Sequence, residues 1–397
     1  MQELLIDVNK ENKKILLIEN GKLIEKYEEE SGQERIEGNI YVGIVENVLP
    51  GMQAAFVNIG KDKNTFIHIR DVIPKVSTET GNKNEDFAEY NIKDYLKVGM
   101  PILVQVKKDS TNKKGARIST HISVPGRFLV LMPNENFITI SQKINDEKER
   151  ARLKEIVKKV MPKGYGAIIR TSAENKKEEE IVEDLKKIII KCEKVKMDFE
   201  SEQEKGNKVK PKLLYKSEGI VQRILTDLID QDLYQITTNN KEMYDSIDKK
   251  LKEENKNIKL EIDENILDKY SISKQLEELN NRKVWLKCGG FITIDKTEAL
   301  TAIDVNSGKY TGKKDLEQTI FTVNKEATIE IAKQLRLRDI GGIIIIDYID
   351  MQNKENEEKI VELFKENLKK DRSKTQVVGF SKLNLLEMTR KHMCSND

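Results

Sequence analysis

Two acidic residues stand where acids are costly. Asp304 follows the largely apolar run Ala299-Leu300-Thr301-Ala302-Ile303, and Asp347 follows four consecutive isoleucines, Ile343 to Ile346. Each closes a segment that reads as a strand. Two carboxylates brought together repel, so one takes a proton or a cation sits between them. Mg²⁺ suits an all-oxygen site and keeps waters that can attack a phosphate. Asn306, two residues beyond Asp304, shares its strand face and adds a neutral oxygen or an amide donor. A plainer reading has Asp304 capping a turn into Asn306-Ser307-Gly308 and Asp347 merely ending its strand. For one acid alone that reading is preferred; for two acids on linked parallel strands, metal binding is. The three histidines, His68, His121 and His392, are scattered, so carboxylates and metal are better candidates for chemistry than a histidine acid–base pair.

The elements around the two acids must bring them together. Residues 290–295 and 300–306 are extended and joined by Lys296-Thr297-Glu298. A helix is predicted over 315–338, because Leu316, Ile320, Val323, Ala327, Ile331 and Leu335 step by three and four and form one buried stripe. Gly341-Gly342 is the stop signal. The isoleucine run then predicts a central parallel strand buried on both faces. Strand, helix, strand is a right-handed crossover, which sets both carboxylates at one sheet edge, where α/β folds bind ligands.

The rest of the chain bounds the reading. Its 397 residues suffice for two to four domains, and 70 basic against 68 acidic side chains nearly cancel, so any basic surface is local. No apolar stretch reaches the ~20 residues of a membrane span, and Met1-Gln2-Glu3-Leu4-Leu5-Ile6-Asp7 lacks the layout of a signal peptide. Cys192, Cys288 and Cys394 form no C-x-x-C pair, so neither a disulfide framework nor a zinc site is expected, and the expected setting is a reducing cytoplasm. Residues 3–7 and 14–19 read as strands, followed by a polar separator over 28–37. Segments 40–45, 54–59, 65–69, 101–106 and 116–120 suit a small five-stranded barrel, interrupted by a polar loop over 77–94. Beyond it, 128–132 and 167–170 look extended, 146–160 and 175–199 helical; 220–230 has helical periodicity and 233–237 looks like a strand. On the barrel, Phe56 and Phe66 lie on neighbouring strands and either stack on unpaired bases or belong to the core, with composition favouring core for Phe56. Lys113, Lys114 and Arg117 offer charge to phosphates. Arg170-Thr171 ends a strand, where an Arg either grips a phosphate or pairs with a nearby acid.

The segments TEALTAIDVNSGKYTG and EIAKQLRLRDIGGIIIIDYIDM resemble the catalytic core of the ribonuclease E/G family. The resemblance covers nearly the whole chain. It implies an α+β multidomain protein: an RNase H-like structural subdomain (1–36 and 217–280), an inserted S1 RNA-binding domain of OB fold (37–125), a 5′-sensor domain (126–216), and a DNase I-like α/β catalytic domain (281–397). It implies that Asp304 and Asp347 hold one Mg²⁺ assisted by Asn306, that Phe56, Phe66 and Lys114 contact RNA, and that Gly126, Val130, Arg170, Thr171 and Lys374 form a pocket for a 5′-monophosphate. Lys374 falls where the family commonly has an Arg, so the charge is kept without the two-pronged grip.

The implied function is a Mg²⁺-dependent endoribonuclease of RNA processing and mRNA and rRNA turnover. It cuts single-stranded RNA, leaves 5′-phosphate and 3′-hydroxyl ends, and prefers 5′-monophosphorylated substrates. Family members continue past LLEMTRK into a C-x-x-C zinc link between two subunits, whereas this sequence ends LNLLEMTRKHMCSND. A zinc-linked dimer is therefore not expected of the chain, and other homo-oligomers stay open. That departure keeps a second reading, an RNA-binding protein with weak or no nuclease activity. A third, a translation-associated factor using the barrel as its RNA module, does not account for the intact Asp304, Asn306 and Asp347.

Overall fold

The computed structural model describes residues 2–10, 12–30, 35–73, 90–110, 115–229, 233–254, 256–308 and 316–392. The chain divides into two compact units, one of residues 1–33 and 231–395, the other of residues 34–230. Both mix α and β structure.

The first unit holds two sheets. One has five strands in the order Lys259–Ile262, Leu233–Thr238, Gln2–Val8, Asn12–Glu19, Lys22–Glu30. The first three run parallel, and the last two return as an antiparallel meander. Gln2–Val8 is central because Leu4, Leu5 and Ile6 are all fully buried, the pattern of a strand covered on both faces. The third strand of the meander runs to Glu30, into the stretch that reads as a polar separator. Its buried set is Leu23, Glu25 and Tyr27, and a buried Glu hides the alternation. Arg372 Nε lies 2.8 Å from the Glu25 carboxylate and the Tyr27 hydroxyl donates to it at 2.9 Å, which makes that burial tolerable.

The other sheet has six strands, in the order Lys283–Trp285, Phe291–Lys296, Leu300–Asn306, Gly342–Asp347, Leu385–Arg390, Thr375–Phe380. Only Leu300–Asn306 and Gly342–Asp347 are parallel, and the helix Leu316–Leu337 links them. This helix and Lys354–Leu368 pack on one face, where Ile292, Ile303, Val305, Ile344, Ile346 and Leu386 meet Val323, Ile331, Leu335 and Phe364. The opposite face is open. The isoleucine strand is therefore buried on one face, not two: Ile344 and Ile346 are fully buried, but Ile343 is 51% exposed. Helices lie on one side only because most of the sheet is antiparallel, and antiparallel neighbours need no crossover helix on the far face. The helical stripe also starts later than its periodicity predicts. Leu316 is 73% exposed, and the buried run begins with Thr319 and Val323.

The second unit contains a closed barrel of five strands, Ile40–Leu49, Ala54–Asn58, Thr65–His68, Pro101–Lys108 and Arg117–Ser119. It closes because the long first strand pairs with both Ala54–Asn58 and Pro101–Lys108. Lys212–Tyr215 adds outside it. Most of the predicted polar loop, residues 74–89, lies outside the described residues; its end forms one helical turn, Ile92–Tyr95. Next to the barrel core is a four-stranded sheet, Ile138–Ile140, Tyr165–Ile169, Leu129–Pro133, Val124–Pro125. It is packed by Glu147–Val160 and the 26-residue helix Glu178–Gln203. Among the described residues no helix is long and apolar enough to cross a membrane.

Candidate active site

Alternation along the two parallel strands decides where the acids point. In Leu300–Asn306 the odd residues Thr301, Ile303 and Val305 are buried, which turns Ala302, Asp304 and Asn306 to the open face. In Gly342–Asp347 the buried residues are Ile344 and Ile346, which turns Ile343, Ile345 and Asp347 the same way. The register pairs Asp304 with Asp347 directly. Neighbouring strands lie about 4.8 Å apart, so the two carboxylates stand side by side on the open face, at the carboxyl ends of both strands. Burial, with the charges of Asp304 and Asp350, raises the Asp347 carboxyl above the usual aspartate range. The Asn306 amide Nδ2 donates to Asp304 Oδ2 at 2.5 Å. That bond fixes the Asp304 carboxylate and leaves its other oxygen for a ligand.

The strand end that carries Asp347 is held from below by two polar residues in the apolar stripe of Leu316–Leu337. Asn324, fully buried, donates to the Ile349 carbonyl at 2.8 Å and accepts from the Ile349 N–H at 3.2 Å. Thr328, also fully buried, is 2.9 Å from the Tyr348 hydroxyl. The sequence reading missed both. The available signal was two polar residues four apart on the buried face of a helix. Arg390 closes the far side of the core. Its guanidinium contacts Asp371 and Asp339, each at 2.8 Å, and the Ile340 carbonyl at 2.9 Å. Asp339, not a glycine, takes the left-handed conformation (φ 45°) at the helix end.

Two carboxylates in register are a donor set that could hold Mg²⁺, and burial, with the charges of Asp304 and Asp350, raises the proton affinity of Asp347. Among the described residues no group of three or more His, Cys, Asp or Glu side chains is gathered into a metal cage. Two protein oxygens with the remaining positions left to water is the pattern Mg²⁺ commonly takes. By contrast, the acids of the five-stranded sheet have protein partners. Glu3 is hydrogen-bonded by Lys269, Tyr270 and Tyr234, and Asp7 by Asn239.

On the barrel, Phe56 and Phe66 are paired in register, with ring centroids 6.2 Å apart edge-to-face. Both are half-buried and neither joins the barrel core, so they share an outward patch. Arg117 pairs with Phe66 on the adjacent strand, its guanidinium held 2.8 Å from Asp71. Lys113 and Lys114 lie outside the described residues.

Arg170 follows the strand Tyr165–Ile169. Its Nη1 donates to the Gly126 carbonyl at 2.9 Å, and its Nη2 is 2.6 Å from Asp227. Thr171 is exposed, its hydroxyl 2.9 Å from that of Ser141. Val130 pairs with Ile168 in the same sheet. Gly126 is required by packing: a Cβ there would come within 2.2 Å of Ile188 and 2.8 Å of both Asp184 carboxylate oxygens. The structure thus brings Gly126, Val130, Arg170 and Thr171 to one end of the four-stranded sheet. Lys374 is exposed and belongs to the other unit. Asp227 was not singled out in the sequence, where one acid in a helix carries no signal of its partner.

The family model described as "Ribonuclease E/G family" matches residues 123–393. The chain is 38% identical to a protein named Ribonuclease G from Salmonella typhimurium (strain SL1344) over 400 residues, covering 98% of this chain and 79% of that protein. It is 39% identical to Ribonuclease G of Haemophilus influenzae, with the same coverage of each. It is 35% identical to Ribonuclease E of Nostoc sp., covering 97% of this chain and 56% of that protein. A family match over more than half of the chain, together with such identity along nearly all of it, means that the chain belongs to the ribonuclease E/G family.

Proposed function

We propose that the protein is an endoribonuclease that cuts single-stranded RNA with Mg²⁺ held by Asp304 and Asp347. The observation that carries this reading is the direct register of the two aspartates on an open sheet face. Family membership supplies the substrate class. Mg²⁺ bound there supplies a water of lowered pKa and neutralises charge on the phosphate. The chain's own residues do the rest. Asp304 and Asp347 each present an oxygen on the face of the sheet away from the helices. Asn306 keeps Asp304 from rotating. Asn324 and Thr328 fix the turn behind Asp347, so the spacing of the pair is set before substrate arrives. Water attacks the phosphorus, the bond to the 3′-oxygen breaks, and the products carry 5′-phosphate and 3′-hydroxyl ends.

The finer domain assignments belong to the same proposal. We infer an RNase H-like structural sheet, an S1-type barrel presenting Phe56 and Phe66 to bases, and a DNase I-like catalytic layer. The end of the four-stranded sheet, with Arg170 and Thr171, is the 5′-monophosphate site. A phosphate arriving there competes with Asp227 for the guanidinium. The test is cleavage of a short single-stranded RNA carrying a 3′ label, with Mg²⁺ and with EDTA, and chemical identification of the new ends. Mg²⁺-dependent internal cuts with 5′-phosphate ends are expected. No cleavage in Mg²⁺, or equal cleavage in EDTA, overturns the reading.

A further inference from the structure

The strand at the edge of the six-stranded sheet, Lys283–Trp285, carries the only tryptophan of the chain. Its alternation turns Lys283 and Trp285 to the open face and Val284 toward the core. The register extends the row of the carboxylates across the sheet. Lys283 pairs with Thr293, Thr293 with Asp304, and Asp304 with Asp347. One row away, Trp285 pairs with Phe291 and Phe291 with Asn306. Two aromatic rings and one ammonium therefore continue, on the same face, from the residue that fixes Asp304.

This group is organised. The Trp285 and Phe291 rings meet edge-to-face, centroids 5.4 Å apart at 63°. The Lys283 Nζ sits 4.0 Å from the Trp285 centroid and 3.5 Å from that of Phe291. An ammonium over two ring faces is held by their quadrupoles and needs no acid beside it. Yet Trp285 is 65% exposed. A large indole is ordinarily placed where most of its surface is covered. Here the ammonium and the Phe291 ring contact the indole, and most of its surface is exposed, on the sheet face that carries the two carboxylates.

We propose that Trp285, Phe291 and Lys283 form a nucleotide subsite, in which the base of a nucleotide flanking the scissile phosphate stacks on Trp285 and the Lys283 ammonium meets the adjoining phosphate. This rests on the nuclease reading and names where the strand runs next to the cut. Bases of any identity offer a π-face, so the subsite takes single-stranded RNA with little sequence preference. It also answers an electrostatic need. A polyanion approaching Asp304 and Asp347 is repelled, and Lys283 is a cation in the same row. The platform begins one strand from Asn306, about 4.8 Å, so a strand crossing the carboxylate pair reaches it without a turn.

The single tryptophan supplies its own probe. In EDTA, so that nothing is cut, a short fluorescein-labelled single-stranded oligoribonucleotide is titrated with the full chain, following its anisotropy. An unlabelled copy of the same RNA is titrated into the chain, following Trp285 emission. Saturable quenching in step with the anisotropy is expected. Trp285→Ala is expected to weaken binding about tenfold, as loss of one stacked base does, and to raise KM more than it lowers kcat. Trp285→Phe restores most of both. The exposed position leaves the fold intact in either variant, which the thermal midpoint checks. Binding without quenching, or unchanged affinity and KM in Trp285→Ala, overturns the subsite while the nuclease reading stands. RNA neither bound nor cut in Mg²⁺ overturns the nuclease reading and the subsite with it. Emission that changes with protein concentration alone, and not with RNA, assigns the face to a second copy of the chain and overturns the proposal.

Discussion

At the residue scale the proposed site sets two carboxylates side by side, and a proton or the proposed Mg²⁺ would relieve their repulsion. Asp347 gains little from being ionised, since burial and the charges of Asp304 and Asp350 all raise its proton affinity. Its folded value lies above the unfolded one, so its ionisation opposes folding: stability is highest below the ordinary aspartate range and is reduced as pH rises through the raised value. Asp347→Asn should therefore abolish Mg²⁺-dependent cleavage and yet, in EDTA at pH 7, give a thermal midpoint equal to or above that of the parent. The difference should vanish below about pH 4, where the acid is protonated in both states. A clear fall in the midpoint at pH 7 would mean that the carboxylate is structural. In the parent, cleavage at low Mg²⁺ should fall as pH drops through the raised value, and added Mg²⁺ should move that limb to lower pH, because cation and proton compete for one oxygen. Asn306→Ala removes the 2.5 Å hydrogen bond to Asp304 but no ligand. A loss of about 10–100-fold in activity is expected, the usual effect of deleting a partner that orients a metal ligand. An undiminished rate would free Asn306 from that role.

At the element scale, the helix Leu316–Leu337 has two tasks that its periodicity does not reveal. Its apolar residues bury one face of the sheet, and its polar Asn324 and Thr328 tie down the chain just past Asp347. Asn324→Ala leaves the N–H and carbonyl of the half-buried Ile349 without this partner, which costs up to about 1–3 kcal/mol per unsatisfied group. We expect a lower denaturation midpoint and a fall in kcat with unchanged affinity for RNA measured in EDTA. If kcat per folded molecule is unaltered, the helix supports the fold without positioning the acid. Asn324→Leu is not an equivalent test, because bulkier methyls replace the amide oxygen and nitrogen and press against the same Ile349 N–H and carbonyl.

At the scale of the whole molecule, the residues of the proposed reaction and those of the proposed 5′-phosphate site fall in different units. The carboxylate pair belongs to one and the Arg170 end of the four-stranded sheet to the other. Arg170→Ala should slow cleavage of 5′-monophosphorylated RNA and hardly alter that of the 5′-hydroxyl form. Asp227→Asn is the sharper variant. It removes the acid that occupies the guanidinium at 2.6 Å, so an incoming phosphate meets less competition. The ratio of rates for the two RNAs should rise in Asp227→Asn and fall toward one in Arg170→Ala. Parallel changes on both RNAs would give Arg170 and Asp227 to structure alone.

Much of this was legible in the sequence, for a physical reason: period and residue type act locally. Short apolar segments spaced by turn signals mark the barrel strands, stepping by three and four marks the helix between the acids, and an aspartate after four isoleucines marks its own anomaly. What could not be read is what depends on partners distant in the chain. The strand Lys22–Glu30 is not marked by its residues: Glu25 interrupts the apolar alternation because it is buried against Arg372, 347 positions away, and the strand's last residues lie in the polar stretch 28–37. The isoleucine strand looked covered on both faces because a run of β-branched residues records propensity, not which face a helix reaches. Asn324 resembles a flaw in an apolar stripe until Ile349 is seen beneath it. Trp285 and Phe291 are six residues apart in sequence, and only the antiparallel pairing sets their rings edge-to-face in line with Asn306. Residue type and local period are enough to say which side chains have the chemistry and which elements carry them. The tertiary structure alone decided which of them face the same water, since register and the side a helix packs on are properties of pairs of segments, and no single segment encodes them.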